Sequence, residues 1–215
     1  MMVERNVIEI FAFPLSPRAF KTLVVANHLE LDFTLETLDP RKGDFQKPEY
    51  AALNPNMRMP TLKHGEYVLW ESNAIQQYLA LRKPENGLLP KDDLARLDVI
   101  RWQFWDLAHW DPATGGYTFE RVAKPLVLGL EPDPAALARG EELFHRSARV
   151  LDAHLRGKEY VTGKTLTVAD FALGAGLMHA EAANIPVGQY GEISRWFASL
   201  KALPAWQKTL ALAAA

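Results

Sequence analysis

Asn54-Pro55-Asn56-Met57-Arg58-Met59-Pro60-Thr61, followed at once by Leu62 to Trp70 and then by Glu71-Ser72-Asn73-Ala74-Ile75, sets the pattern for the first half of the chain. Pro60 closes an irregular loop and opens a strand, which predicts a rigid turn of the kind that can host a cis bond. Such a turn leaves the Met59 N–H and C=O free to pair with an extended peptide ligand. Residues 60–63 and 67–70 then read as two short antiparallel strands around His64-Gly65-Glu66. Helical spacing takes over from Ser72 to Leu81, with Ile75, Tyr78 and Leu79 as the apolar stripe. Ser72, with Glu71 beside it, stands where a helix cap is expected. A ligand carboxylate there would receive the Ser72 hydroxyl and amide, and Glu71 could accept from an α-ammonium group. Taken singly, these features also read as ordinary capping, a tight turn and, for Arg58, a solvated surface charge.

Upstream, Val7 to Phe13 is rich in branched and aromatic residues and predicts a strand. Pro14-Leu15-Ser16-Pro17 follows, then a helical pattern to about Leu29 and an alternating strand at Asp32 to Leu38. This β-α-β start predicts a right-handed parallel unit. Ser16 at the strand-to-helix junction is either an N-cap or a hydroxyl that donates to a bound anion such as a thiolate, aided by the positive helix end. Downstream, Arg82 to Gly87 reads as a linker, and the remainder as helices near 92–120, 134–156, 168–183, 190–200 and 204–213. Thr167 and Asp170 form a T-x-x-D capping box, a folding device. Trp102, Trp105 and His109 share a helical stripe from which Trp110 is offset.

The sequence of 215 residues carries 24 Lys plus Arg, 26 Asp plus Glu and no cysteine. A near-neutral balance argues against a nucleic-acid partner or a charged membrane surface. The apolar stretches fall far short of the ~20 residues that span a bilayer, and Met1 to Asn6 does not open a signal peptide. A cytoplasmic protein is the expectation. With no cysteine the chain has no thiolate nucleophile, disulfide or cysteine-held metal, and no histidine pair with metal-ligand spacing stands out. Any thiol activated here belongs to another molecule.

In combination, N-P-x-x-x-x-P at Asn54 to Pro60, E-S-x-A-I at Glu71 to Ile75 and L-T-V-A-D at Leu166 to Asp170 resemble the glutathione S-transferase family across nearly the whole chain. The resemblance implies an α/β thioredoxin-like domain over residues 1–83 and an all-α domain over residues 90–215. It implies glutathione as co-substrate, with Met59 beside the cis-proline position Pro60 pairing with the cysteinyl part, Glu71 and Ser72 holding the γ-glutamyl end, and Arg58 nearby. Which of Lys42, Gln46 or Lys47 reaches the glycyl carboxylate stays open. Phe11 and Phe13 stand where the family's tyrosine would be sought, so Ser16 is the expected activating residue, as in its serine-type theta-like and phi-like groups. Phe13, Leu15, Trp105, His109 and Trp110 are the expected contacts for a hydrophobic electrophile. A homodimer is implied, and aromatic side chains between Tyr67 and Trp70 are available for it.

A serine hydroxyl suffices for the chemistry. A thiol of pKa about 8.5 is only a few per cent thiolate near neutral pH. Lowering that pKa by about two units takes about 2.7 kcal/mol of preferential thiolate stabilisation. One charge-assisted hydrogen bond supplies about 1.5–3 kcal/mol and a helix N-terminus up to about 2 kcal/mol. Conjugation of glutathione to an electrophile is therefore the leading expectation. Glutathione-dependent isomerisation, dehalogenation, ether cleavage or peroxide reduction is the second, and a non-catalytic module for interaction or ligand carriage the third.

Overall fold

A computed structural model describes residues 7–214; Met1 to Asn6, where the signal-peptide reading falls, lie outside them. The described residues up to Lys83, together with those from Pro204 onward, form one compact unit, and Pro84–Leu203 form a second. The first is a mixed sheet with helices and the second is helical, matching the α/β-plus-all-α class expected.

In the first unit β1 (Ile8–Ala12) is followed by α1 (Pro17–His28), β2 (Phe33–Thr37), two single turns of 3-10 helix and α2 (Pro48–Leu53). Then come β3 (Thr61–His64), β4 (Tyr67–Trp70) and α3 (Ser72–Ala80). The strands lie in the order β2-β1-β3-β4. β1 runs parallel to β2 and antiparallel to β3, which pairs antiparallel with β4. β1 buries Ile8, Ile10 and Ala12 on alternate positions, as its period of two requires. Glu9 and Lys63 stand opposite each other in the ladder and form an ion pair at 3.0 Å.

α1 is buried along most of its length because α3 and the last helix, Pro204–Ala214, both pack against it. Trp206 meets Phe20 edge-on at 4.8 Å, and Asn27 donates to Thr209 at 2.9 Å. This corrects the expectation that residues 90–215 form one helical domain. The amphipathic spacing of 204–213 shows a helix with a face to bury, and that face is buried on α1.

In the second unit α4 (Asp93–Trp105) continues through Asp106–Trp110, α5 (Asp111–Thr118) and Phe119–Leu128 without a break, and the two intervening segments take wider π-type turns. Prolines account for both. Pro112 has no N–H for the carbonyl four residues back and its ring crowds that carbonyl, so the turns before it widen; Pro125 does the same inside the later segment. The helix therefore passes the expected stop near residue 120 and ends at Gly129, whose φ of 64° would be strained for a residue with a side chain.

α6 (Pro134–Leu155) is tied to that end by Glu120, which accepts from the Asp133 N–H at 2.7 Å and from Lys124 at 2.8 Å. Phe144, Ala148 and Leu151 form its buried face. α7 (Val168–Ala175) carries the expected Thr167–Asp170 capping box but stops well before residue 183. At Gly176 a Cβ would stand 2.8 Å from Thr114 Oγ1 and 3.2 Å from Trp110 Nε1, so the chain passes the α4–α5 helix there only as glycine. α8 (Gly191–Lys201) completes the unit. Among the described residues no helix is long and apolar enough to cross a membrane.

Candidate functional site

The strand register collects the candidate residues of the first unit at one end of its sheet. Phe11 in β1 pairs with Thr61 in β3, and Thr61 pairs with Trp70 in β4. The chain leaving β1 toward Ser16, the chain entering β3 through Met59 and Pro60, and the chain leaving β4 through Glu71 and Ser72 thus meet at that end. Residues from three distant parts of the sequence converge because β1 and β4 run alike and β3 runs against them.

Ser16 occupies the N-cap position of α1 with extended backbone angles, φ −78° and ψ 125°. Its N–H turns back to the Phe13 carbonyl at 2.8 Å, and its carbonyl accepts from Phe20 at 2.8 Å. Its hydroxyl makes no capping bond. The amide of Ser16 is thus committed to the turn, and the half-buried hydroxyl is the group left to act on a ligand at the positive end of a 12-residue helix. Phe13 and Leu15 in the same turn are also half-buried.

The Met59–Pro60 bond is cis. No main-chain hydrogen bond among the described residues uses the Met59 N–H or C=O. The loop before it is held from beneath by three buried side chains that sequence reasoning passed over as a set. Tyr50 donates to the Arg58 carbonyl at 2.6 Å, and Asn54 donates to the same oxygen at 2.7 Å. Thr61 Oγ1 stands 2.8 Å from the Tyr50 hydroxyl and receives Asn54 at 3.1 Å. Burial pushes the Tyr50 phenol up from its ordinary value, which keeps it a proton donor. The signal for this set is Tyr50 in a short helix with Asn54 four residues on, just past the helix end. The Arg58 side chain is exposed.

Glu71 takes φ 73°, ψ 109°, a conformation costing a non-glycine residue about 1–3 kcal/mol and met mostly at functional sites. It sets α3 off abruptly from β4. Neither Glu71 nor Ser72 caps the helix as expected: Glu71 is the N-cap residue but makes no side-chain cap bond, and Ser72 is already the first helical residue and buried. An exposed carboxylate and a buried hydroxyl therefore adjoin the first turn of a helix whose N–H groups point outward.

The three candidates in the 3-10 segment separate. Lys47 is drawn to Asp44 at 2.7 Å, as Arg41 is to Asp39 at 2.8 Å, whereas Lys42 forms no ion pair among the described residues and Gln46 is exposed.

In the second unit Trp105 is half-buried and His109 exposed, with their rings 6.0 Å apart. Trp110 differs from both. It is 0% exposed, its indole N–H donates to the Leu173 carbonyl at 2.9 Å, and it packs on Phe144. It belongs to the core of that unit, which corrects its expected place in a substrate site. Trp102 is likewise buried, against Trp105 and His154.

Residues 6–81 match the family model described as Glutathione S-transferase, N-terminal domain, and residues 116–204 the one described as Glutathione S-transferase, C-terminal domain. The Zea mays protein named Glutathione S-transferase 3 is 33% identical over 211 residues, covering 95% of this chain and 93% of its own. A Hyoscyamus muticus protein named Glutathione S-transferase is 31% identical over 206 residues, with coverage of 91% and 94%. Among solved structures, that of glutathione S-transferase III in apo form superposes with a TM-score of 0.85 at 30% identity, over 95% of this chain and 96% of that one.

Proposed function

The chain belongs to the glutathione S-transferase family, and from that premise we propose that it conjugates glutathione to hydrophobic electrophiles as a serine-type member. It is an enzyme of the transferase class with glutathione as co-substrate. The observation that carries the serine mechanism is the Ser16 hydroxyl, poised at the start of α1 and not spent on capping it.

Glutathione would lie extended along the end of the sheet. Its cysteinyl main chain would pair with the Met59 N–H and C=O, its γ-glutamyl carboxylate would take the Ser72 hydroxyl and the first turn of α3, and Glu71 would accept from its ammonium. Arg58 adds positive charge beside the cysteinyl pair, and Lys42 suits the glycyl carboxylate, since Lys47 is already paired. The thiol loses its proton to solvent, and the Ser16 O–H donates to the sulfur anion that remains. That sulfur attacks an electrophilic carbon, and the carbon's leaving group departs with the electron pair of the broken bond. Phe13 and Leu15 are the proposed apolar contacts of the electrophile within the first unit.

The expected result is retention on immobilised glutathione and loss of free thiol in stoichiometric step with consumption of an activated aryl halide. Retention without thiol loss across aryl halides, epoxides and unsaturated carbonyls would mean a binding module. Thiol oxidised to disulfide with a peroxide alone would mean a peroxidase.

Self-association into a two-fold dimer is part of the proposal. Tyr67 and Trp70 lie exposed on β4, which is the edge strand of the sheet, and Leu81 is exposed just past α3. On α4, Leu94, Leu97 and Phe104 are exposed at helical spacing. Paired apolar patches of this kind mark an interface. Sedimentation velocity at micromolar concentration is expected to show a dimer, and Trp70→Glu combined with Leu97→Glu a folded monomer. A wild-type monomer would end this part of the reading.

A further inference from the structure

We infer that Tyr50 is a positioning residue for glutathione: with Asn54, and braced by Thr61, it grips the Arg58 carbonyl and thereby aims the Met59 N–H at the ligand. The inference rests on the glutathione-binding reading above and adds to it residues that touch no ligand.

The argument is one of proton bookkeeping within a buried ring. Tyr50, Asn54 and Thr61 are 3%, 2% and 0% exposed, so water does not complete their bonding. Tyr50 has one hydroxyl proton and gives it to the Arg58 oxygen. Its 2.8 Å contact with Thr61 must then be Thr61 donating to the phenol oxygen. The Thr61 oxygen in turn accepts one amide proton of Asn54, whose other amide proton goes to the Arg58 oxygen. Each donor is used once, and both lone pairs of the Arg58 carbonyl are filled. The remaining acceptor of Asn54, Oδ1, takes the Asn56 N–H at 3.0 Å and holds the loop on its other side. Phe11 of β1, its ring 6.2 Å from that of Tyr50, anchors the phenol to the sheet.

The consequence falls on Met59. The Arg58 carbonyl and the Met59 N–H belong to one planar trans peptide and point in opposite directions. A carbonyl locked inward by two donors fixes that N–H outward, away from the buried ring. Tilting of the peptide plane, which would weaken a hydrogen bond to an extended peptide, is opposed by two short bonds instead of one. Removing the Tyr50 hydroxyl takes away one of them and also strands the Thr61 proton.

The test compares Tyr50→Phe, Thr61→Val and the conservative Thr61→Ser with wild type by calorimetric titration of S-methylglutathione, in which the thiol is blocked. It adds kcat, KM for glutathione and the pH profile of conjugation. Tyr50→Phe and Thr61→Val are each expected to weaken S-methylglutathione binding by about 5–30-fold, the factor for one or two kcal/mol. KM for glutathione should rise in step, while the thiol pKa read from the pH profile stays put because Ser16 is untouched. Thr61→Ser, which keeps the hydroxyl, should bind within about twofold of wild type, a change of under about 0.5 kcal/mol. A folded Tyr50→Phe or Thr61→Val protein that binds within that same twofold overturns the inference, as does weakened binding accompanied by a shifted thiol pKa. Should Tyr50→Phe fail to fold, Thr61→Val against Thr61→Ser decides alone. Wild type that binds no S-methylglutathione overturns the underlying reading, and the positioning role falls with it.

Discussion

Replacing Ser16 with alanine is expected to lower kcat/KM for conjugation by roughly 10–150-fold, the factor equal to one hydrogen bond of about 1.5–3 kcal/mol to a charged acceptor. The loss follows from where that hydroxyl sits. Its own amide is spent on the Phe13 carbonyl and its hydroxyl is spent on nothing in the helix, so deleting the oxygen removes a donor to sulfur without uncapping α1. Stability should change little for the same reason, by less than the ~1 kcal/mol typical of a lost N-cap. The pH dependence gives the sign. Without the donor the thiolate is less stabilised, so the bound thiol's pKa rises toward the free value of about 8.5 and the rate profile moves to higher pH. Binding of S-methylglutathione should be nearly unchanged, because its ether sulfur carries no charge. Equal rates for Ser16→Ala and wild type, at a pH well below the free thiol's pKa, would falsify the serine mechanism. A variant that instead lost affinity for S-methylglutathione would make Ser16 a binding residue.

Ser16 was legible because its neighbours are local: a strand, a Pro-x-Ser-Pro turn and a helix adjoin in sequence, and the hydroxyl's place follows from their order. The hairpin at residues 61–70 and the start of α3 were legible for the same reason. What escaped depends on contacts made across long separations. Trp105 and Trp110 look alike in sequence, yet Trp110 is core because Leu173, some sixty positions on, offers its indole a carbonyl and Gly176 leaves room for the ring edge. Pro125 reads as a helix breaker and is one in most contexts, but here wide turns absorb it and the helix runs to Leu128. The helix at Pro204–Ala214 was plain in its spacing, while its partner α1 lies some 180 residues earlier, as the Asn27–Thr209 bond records. The ring of Tyr50, Asn54 and Thr61 was hidden in another way. Each residue type is ordinary where it stands, and only the closing of the loop brings Tyr50 and Asn54 onto one carbonyl with Thr61 joining the two.

The change expected to cost most stability is Asp170→Ala, far from any ligand-binding group of the first unit in sequence. Asp170 is 0% exposed, and its two oxygens accept four hydrogen bonds: Val161 N–H at 2.8 Å and Trp196 indole N–H at 3.0 Å on one, Thr167 N–H at 2.9 Å and Thr167 hydroxyl at 3.1 Å on the other. The carboxylate thereby ties the start of α7 to the loop before it and to the middle of α8. Burial pushes its carboxyl up from the usual range, and the four donors act against that push. Alanine would leave four donors without their acceptor in a dry interior. At about 1–3 kcal/mol for each buried orphan, and with the shared site keeping the sum below additive, the loss should reach about 3–5 kcal/mol. For a chain of this length that is a fall in melting temperature of roughly 6–20 °C. Asparagine should rescue little, although it matches the carboxylate in shape. Its single oxygen can serve one pair of donors, and its NH2 must then face the other pair. The Thr167 hydroxyl can turn round to accept from it; the Thr167, Val161 and Trp196 N–H groups cannot. Urea denaturation of Asp170→Ala and Asp170→Asn at constant slope measures both losses. A cost below about 1 kcal/mol for alanine, the worth of a lone exposed cap, would show that the carboxylate does no more than begin a helix.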